Sequence, residues 1–277
     1  MICLSIVSHG QRDLAVDLLA CIARDASPLV RQIVYTRNVP EPALPDRFAA
    51  LPGLDCIDNP RPAGFGRNHN AAFARCREPL FCVLNPDIGW ARDPFVALAA
   101  ALGVAAPETA RLPGPTLPDG DRQRPLGLVA PLVVRPDGAI EPTGRALYTI
   151  AEMIGSKLHP SNRSIDADWL AGMFLLFRSD AFRQIGGFDE RYFLYIEDVD
   201  ISSRLRLAGW RLRQCADATV VHDARHRSHR SLRHARWHLA GMLRYWTSPA
   251  FWRYRSLLAQ EARTGPLDAA TRRRRRT

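Results

Sequence analysis

The chain lacks most of the features that would assign a class at once. Its 277 residues contain no run of 18 apolar residues, so no membrane-spanning helix is expected. The six cysteines (Cys3, Cys21, Cys56, Cys76, Cys82 and Cys215) form no C-x-x-C pair. Their spacings of 18, 35, 20, 6 and 133 residues match neither a zinc knuckle nor a dense disulfide framework. Free thiols in a reducing cytoplasm are the expectation. The apolar start Met1–Val7 has no basic leader and no small-residue cleavage site, and reads as a first buried strand rather than a targeting segment. No internal repeat is visible, and Lys157 is the only lysine. What remains is 47% hydrophobic, enough for one large α/β domain or two small ones.

Charge is unevenly spread. The net charge is +10, but residues 225–277 hold fourteen arginines against two acids, Glu261 and Asp268, which leaves residues 1–224 at about −2. This asymmetry points to an anionic partner for the C-terminal segment, a membrane surface or a polyanion. A solubilising terminus accounts equally well for Arg272–Arg276. Within HRSLRHARWHLAGMLRYW, residues 229–246, Leu232, Ala235, Leu239, Met242, Leu243 and Trp246 fall at helical spacing, with Arg230, Arg233, Arg236 and Arg244 largely off that stripe. Two readings fit: an interfacial helix on a membrane, or a helix packed on its own domain with a solvated arginine face.

The rest of the chain alternates between strand and helix patterns. Strands are expected at Ile2–Val7, Arg31–Asn38, Leu54–Ile57 and Leu80–Leu84, with helices over 13–26, 66–77 and 93–103 between and after them. Such alternation argues for a parallel sheet, whose ligands bind at the carboxyl ends of the strands. The polar residues Ser8-His9, Thr36-Arg37-Asn38 and Asn85-Pro86-Asp87 stand at those ends. Residues 106–126 are a proline-rich loop, 127–142 read as strand, turn, strand, and 148–158 as a helical piece. A strand over Ala171–Phe177, helices over Ser179–Ile185 and Val199–Ala208, and a last strand ending at His222 complete the pattern.

Four groups of residues can carry chemistry. Asp87, ending an apolar strand, is placed to hold a divalent cation against phosphates, although Asn-Pro is also a turn signal. Gly64 and Gly66 let a backbone approach a ligand closely, and Arg67, Asn68 and Asn70 follow at a helix start where anions bind. A turn with a helix cap explains the same residues. In FLYIEDVDISSRLRLAGW, residues 193–210, Glu197, Asp198 and Asp200 lie among aromatic and branched side chains. Carboxylates are costly to desolvate there, and either a general base in a dry pocket or acids at a helix start fits, with Asp200 also able to pair with Arg204. His222 is a metal-ligand candidate that is more often structural when it stands alone.

In order along residues 1–225, SIVSHG, RPAGFGRNHNAAF, FCVLNPD, AGMFLLFRSDAF, IGGFDERYFLYIEDVDISSRLRLAGWR and VVHDARH together resemble the family 2 glycosyltransferases of the GT-A fold, in particular their bacterial rhamnosyltransferase-like branch. The resemblance implies a Rossmann-like, mixed and mainly parallel sheet flanked by helices, followed here by C-terminal amphipathic helices. It implies that Asn85-Pro86-Asp87 replaces a D-x-D motif, with Asp87 and His222 holding Mg2+ or Mn2+. Ser8 and His9 match the nucleotide-base site. Asn38 stands where many members carry an acid, and Gly66, Arg67 and Asn70 match residues lining the nucleotide and phosphates. Asn85 falls at the nucleotide-sugar site, and Gly172, in Ala171–Phe174, leaves room in the acceptor or sugar pocket. Asp198 matches the catalytic base, and Glu197 would orient the acceptor or support the base.

The expected protein is therefore an inverting, metal-dependent sugar transferase. It would move a rhamnose-like deoxyhexose from a nucleotide diphosphate sugar to a glycan or lipid-linked acceptor in cell-envelope polysaccharide synthesis. Expected boundaries are 1–225 for the transferase domain, 226–262 for a basic helical extension and 263–277 for an arginine-rich tail. The expected location is cytoplasmic, peripheral at the inner face of the membrane through residues 229–258. The alternatives are a sugar-nucleotide nucleotidyltransferase, which lacks here the glycine-rich N-terminal loop and following lysine, and a non-catalytic glycan- or polyanion-binding relative. No specific nucleic acid is expected, because the basic residues lie outside the segment where the chemistry clusters.

Overall fold

The computed structural model describes residues 1–104, 124–147, 167–223 and 232–264. The helical piece expected at 148–158, most of the proline-rich loop and the terminal arginine run lie outside the described residues.

The first half is built from β1 (Ile2–Ser8), α1 (Arg12–Asp25), β2 (Val30–Arg37), β3 (Leu54–Asp58), α2 (Phe65–Arg75), β4 (Leu80–Leu84), β5 (Ile88–Gly89) and α3 (Phe95–Ala101). Then come β6 (Leu126–Val134), β7 (Ile140–Glu141), β8 (Gly144–Arg145), β9 (Trp169–Leu170), β10 (Phe174–Arg178) and α4 (Ser179–Gln184). The chain continues through α5 (Glu197–Leu207), β11 (Arg211–His222), α6 (Leu232–Trp246) and α7 (Pro249–Thr264). The main sheet runs β3-β2-β1-β4-β10-β6-β11-β5, with β7 on β6, and β8 and β9 form a separate pair. Strands β1 to β4 are mutually parallel, as are β6 and β11, while β10 lies antiparallel between β4 and β6. The sheet is thus mixed and mainly parallel, as expected.

Helices cover both faces, which is why LFCVL in β4 is apolar at every position and fully buried. On one face Ile2, Leu4, Ile6 and Leu84 pack under α1 and α3. On the other, Cys3, Val34, Phe81 and Val83 pack under α2, α4 and α5. Phe73, Phe81 and Phe182 meet there with ring centroids 4.5–5.1 Å apart. Each such ring contributes roughly 1.5–3 kcal/mol by leaving water.

Two local expectations shift. Ala171–Met173 turns rather than continuing a strand, and β10 begins at Phe174. Helix α5 begins at Glu197 instead of Val199, straight after two non-glycine residues in the left-handed region, Tyr195 (φ 74°) and Ile196 (φ 71°). For a β-branched residue such as Ile196 this backbone is strained.

Helices α6 and α7 pack on this domain through Tyr245, Phe251 and Tyr254, all buried. Tyr245 Oη lies 2.5 Å from Ser203 Oγ on α5, and Tyr254 Oη donates to the Asp168 carbonyl at 2.7 Å. The apolar stripe read from the sequence faces largely the other way: Leu232 is 91% exposed, Leu239 54% and Leu243 53%. The residues turned toward the domain are His234, Trp237, Gly241 and Tyr245, one face at helical spacing.

Candidate active site

The parallel strands β1, β2 and β4 end at one edge of the sheet, bringing Ser8-His9, Asn38 and Asn85–Asp87 together. The antiparallel β10 starts at the same edge: Asn85 N donates to the Met173 carbonyl at 3.0 Å. Gly172 therefore lies beside the end of β4, and its amide donates to Asp198 Oδ2 at 3.1 Å. Strand β11 arrives antiparallel to β5, pairing His222 with Ile88, which sets the imidazole next to Asp87. Asn85, Asp87, Gly172, Glu197, Asp198 and His222 are thus gathered from four parts of the sequence.

His222 Nε2 lies 3.2 Å from Asp87 Oδ2, and its Nδ1 lies 2.9 Å from Glu141 Oε2. Burial opposes its charge, but the hydrogen bonds to Asp87 and Glu141 outweigh that and push the imidazole up to about 9. Asp87 Oδ1 is buried and has no hydrogen-bond partner. An orphaned carboxylate oxygen next to an imidazole fits a divalent cation. No cluster of three or more His, Cys, Asp or Glu suited to a metal occurs among the described residues. Asp87, and His222 once a cation displaces its Nε2 proton, can thus supply two ligands, with phosphate oxygens and water completing the shell. Glu141 stands behind His222, where an orienting carboxylate belongs.

Glu197 is 5% exposed and its Oε2 has no partner. Burial, and then the charge of Asp198, push its carboxyl up to about 8. Burial also raises Asp198, against the amides of Val199 (2.9 Å to Oδ1) and Gly172 and the charge of Arg145. Burial thus raises both carboxyls, and the two differ in their partners: Asp198 has two amide donors that favour its ionised form, whereas Glu197 Oε2 has none. Asp200 is buried and its Oδ2 accepts from Arg204 Nε at 2.7 Å, one helical turn on. Arg204 also donates to the Ile185 and Gly187 carbonyls, so this pair ties α5 to the preceding loop.

The remaining expected residues are held by internal partners. Asn38 Nδ2 contacts His9 Nδ1 (3.1 Å) and the Ala63 carbonyl (2.9 Å), while its Oδ1 accepts from Asn59 and from Ala63 N, both at 2.8 Å. Ser8 Oγ donates to Glu41 Oε2 at 2.7 Å and accepts from Gln11 N. A Cβ on Gly66 would lie 2.6 Å from Phe188 Cβ, so this glycine lets α2 approach the loop before α5. Asn70 clasps that loop through Phe188 N and the Phe188 carbonyl, both at 2.9 Å. Arg67 is exposed, 3.8 Å from Glu190. Gly172 is the one that lies against Asp198, where a Cβ would meet Asp198 Cβ at 3.5 Å and its Oδ2 and Phe65 at 3.7 Å.

Sequence reasoning missed Glu41, Glu141 and Arg145. Glu41 bridges Ser8 and the Tyr35 hydroxyl (2.5 Å) and places a carboxylate three residues beyond Asn38. An acid in a polar, proline-flanked loop after a strand end was the available signal for it. Glu141 and Arg145 lie on strands of two residues each, too short to leave a period in the sequence.

No family model matches the chain. It is 30% identical over 225 residues to an N-acetylglucosaminyl-diphospho-decaprenol L-rhamnosyltransferase of Mycobacterium tuberculosis, over 70% of this chain and 66% of that protein, just under two thirds of its length. It is 30% identical over 261 residues to rhamnosyltransferase WbbL of Escherichia coli K12, over 88% of this chain and 92% of the relative. The fold matches mannosyltransferase PcManGT from Pyrobaculum calidifontis, solved with GDP-Man and Mn2+, at a TM-score of 0.58 and 16% identity over 98% of this chain and 77% of the other. GalNAc-T7, solved with UDP, GalNAc and Mn2+, matches at 0.59 and 16% identity over 82% and 44%. At these identities the likeness is one of fold.

Proposed function

The chain belongs to the rhamnosyltransferases, built on the GT-A glycosyltransferase fold, and from that premise we propose that it transfers a deoxyhexose, rhamnose first among the candidates, from a nucleotide diphosphate sugar to a lipid-linked or glycan acceptor of the cell envelope, with inversion. One observation supports this best. A carboxylate held by two backbone amides, Asp198, sits across the Asn85–Met173 hydrogen bond from the Asp87–His222 pair. That order of contacts suits a base on the acceptor side and a diphosphate on the donor side. Asp198 takes the proton of the acceptor hydroxyl as its oxygen bonds to the anomeric carbon. The bond from that carbon to the donor phosphate oxygen breaks, and its electrons leave with the diphosphate. A divalent cation on Asp87 and His222 would neutralise that leaving charge. Glu197, protonated, keeps a second negative charge away from the base.

The test is a panel of UDP-, GDP- and dTDP-sugars incubated with purified protein, with and without a lipid-linked N-acetylglucosamine acceptor. Sugar transfer from one donor, with inverted configuration in the product, is expected. Release of nucleoside triphosphate in the presence of pyrophosphate would instead favour the nucleotidyltransferase alternative.

The outward face of α6 and α7 supports contact with an anionic bilayer. Leu232, Leu239, Leu243 and Trp252 are exposed there beside Arg233, Arg236, Arg253 and Arg255. No helix among the described residues is long and apolar enough to cross a membrane. An amphipathic helix lying in the interface combines such apolar and arginine groups. Removing the whole segment would also uncover Tyr245, Phe251 and Tyr254, so surface substitutions are the cleaner probe. The double variant L239D/L243D is expected to stop floating with phosphatidylglycerol vesicles while keeping the wild-type melting temperature. Undiminished flotation would refute the contact.

A further inference from the structure

We propose that Arg145 grips a phosphate group of the acceptor next to the base, so that phosphate-bearing acceptors are selected over neutral ones. This deepens the transferase reading above and rests on it for the identity of the acceptor.

Arg145 rises from β8 beside the base. Strand β8 pairs with β9, Arg145 standing opposite Trp169. Two residues back, the Thr143 carbonyl accepts from Ala171 N at 2.9 Å, and the next amide, that of Gly172, holds Asp198. The guanidinium is exposed but not loose. Its carbon lies 5.2 Å from the centroid of the Trp169 ring, whose Nε1 is fixed to the Ala146 carbonyl at 3.0 Å. Its Nε donates to the Pro142 carbonyl at 3.2 Å. One N–H and one face are thus used for placement, and among the described residues the two terminal amino groups have no partner.

Several arginines around the sheet pair with a carboxylate: Arg37 with Asp58, Arg75 with Asp55, Arg178 with Asp180 and Arg191 with Asp189. Arg145 has no carboxylate within ion-pair distance among the described residues. The acid it influences is Asp198, whose ionised form its charge favours. A guanidinium fork placed over an indole, with two amino groups open, is prepared for the oxygens of a phosphate. The donor's diphosphate has its own place at Asp87 and His222, on the far side of the Asn85–Met173 hydrogen bond. The cation on the Asp198 side is therefore left for the acceptor. The mycobacterial relative's name specifies an acceptor whose N-acetylglucosamine is joined to lipid through a diphosphate, which is the chemistry this arrangement suits.

The experiment compares two acceptors, farnesyl-diphospho-N-acetylglucosamine and the neutral octyl N-acetylglucosaminide, in wild type, Arg145→Ala and Arg145→Lys. With the diphosphate acceptor, Arg145→Ala is expected to raise KM by about 10–100-fold, the scale for losing charge-assisted hydrogen bonds, and Arg145→Lys to recover part of that. With the neutral acceptor, KM should stay near wild type, and any fall in kcat there measures the weaker ionisation of Asp198 alone. Equal losses on both acceptors, or none on either, would overturn the proposal. Calorimetric binding of the same two compounds needs no turnover and separates the two ideas. Selective binding lost in Arg145→Ala, from a protein that transfers no sugar, would uphold the phosphate grip and refute the transferase reading. Transfer with no phosphate preference in binding or KM would do the reverse.

Discussion

Asp198→Asn should abolish sugar transfer while leaving donor binding intact. General-base catalysis contributes about 10²–10⁴-fold, so kcat should fall by at least that range, whereas the donor Kd, set at the sheet edge near Asp87, should not move. The substitution preserves shape but not acceptor capacity. Asp198 accepts from Val199 N through Oδ1 and from Gly172 N through Oδ2. An amide can accept only one of these, and the other N–H then faces an NH2 group, at a local cost of about 1–3 kcal/mol. The melting temperature should drop modestly while the fold persists. Glu197→Gln makes the sharper contrast. Because burial and then Asp198 hold Glu197 up to about 8, a glutamine imitates the form it already has at neutral pH. That variant should keep most of its activity at pH 7. It should also lose one pH dependence of stability. The stabilising contribution of protonated Glu197 is full below its ordinary 4.5 and gone by about 8, because the unfolded chain ionises first. If Glu197→Gln is as inactive as Asp198→Asn, or Asp198→Asn turns over normally, the division of roles is wrong.

The sequence displayed the strand ends clearly, because β1 and β4 are apolar runs that stop abruptly at Ser8-His9 and Asn85-Pro86-Asp87. Such runs are what strands buried on both faces require. The order of motifs named Asp198 and His222 together, and the fold sets Asp198 against Gly172 and His222 against Asp87. The supports behind them were not legible. Glu141 and Arg145 act from two-residue strands whose position depends on pairing with β6 and β9. The left-handed turn at Tyr195 and Ile196 has no local sequence signature, since neither residue favours it. It is held from both sides by tertiary contacts. A Cβ on Gly64 would lie 2.8 Å from the Phe193 carbonyl oxygen, and one on Gly241 of α6 would lie 2.9 Å from that of Tyr195. Tyr195 Oη also lies 2.8 Å from His234 Nδ1. The same contacts explain why the amphipathic stripe of α6 was only half informative. Its glycine and aromatic face is spent on the turn before α5, and Leu232, Leu239 and Leu243, open in the sequence to either a membrane or a packing role, are turned to solvent.

Asp87→Ala should remove both divalent-cation binding and transfer. With Asn85 in the first position, Asp87 is the only carboxylate the Asn-Pro-Asp turn offers, and no other acid of that turn can replace it. Its Oδ1 is buried and unpartnered, a costly state for a carboxylate oxygen that a cation would relieve. Mn2+ binding measured by calorimetry should disappear. Transfer should fall by about 10²–10³-fold, the scale for losing one group that stabilises a developing anion. Chelation of the wild type with EDTA should reproduce the loss, and added Mn2+ should restore it. Glu141→Gln grades the same effect. It leaves the ligands in place but weakens the hold on His222 Nδ1, now 2.9 Å from Glu141 Oε2, so cation affinity should drop by about 10–100-fold while saturating Mn2+ restores kcat. If Asp87→Ala stays active and EDTA has no effect, then Asp87, His222 and Glu141 form a chain of ion pairs that braces β5, β7 and β11, and the leaving diphosphate must be neutralised by side chains elsewhere.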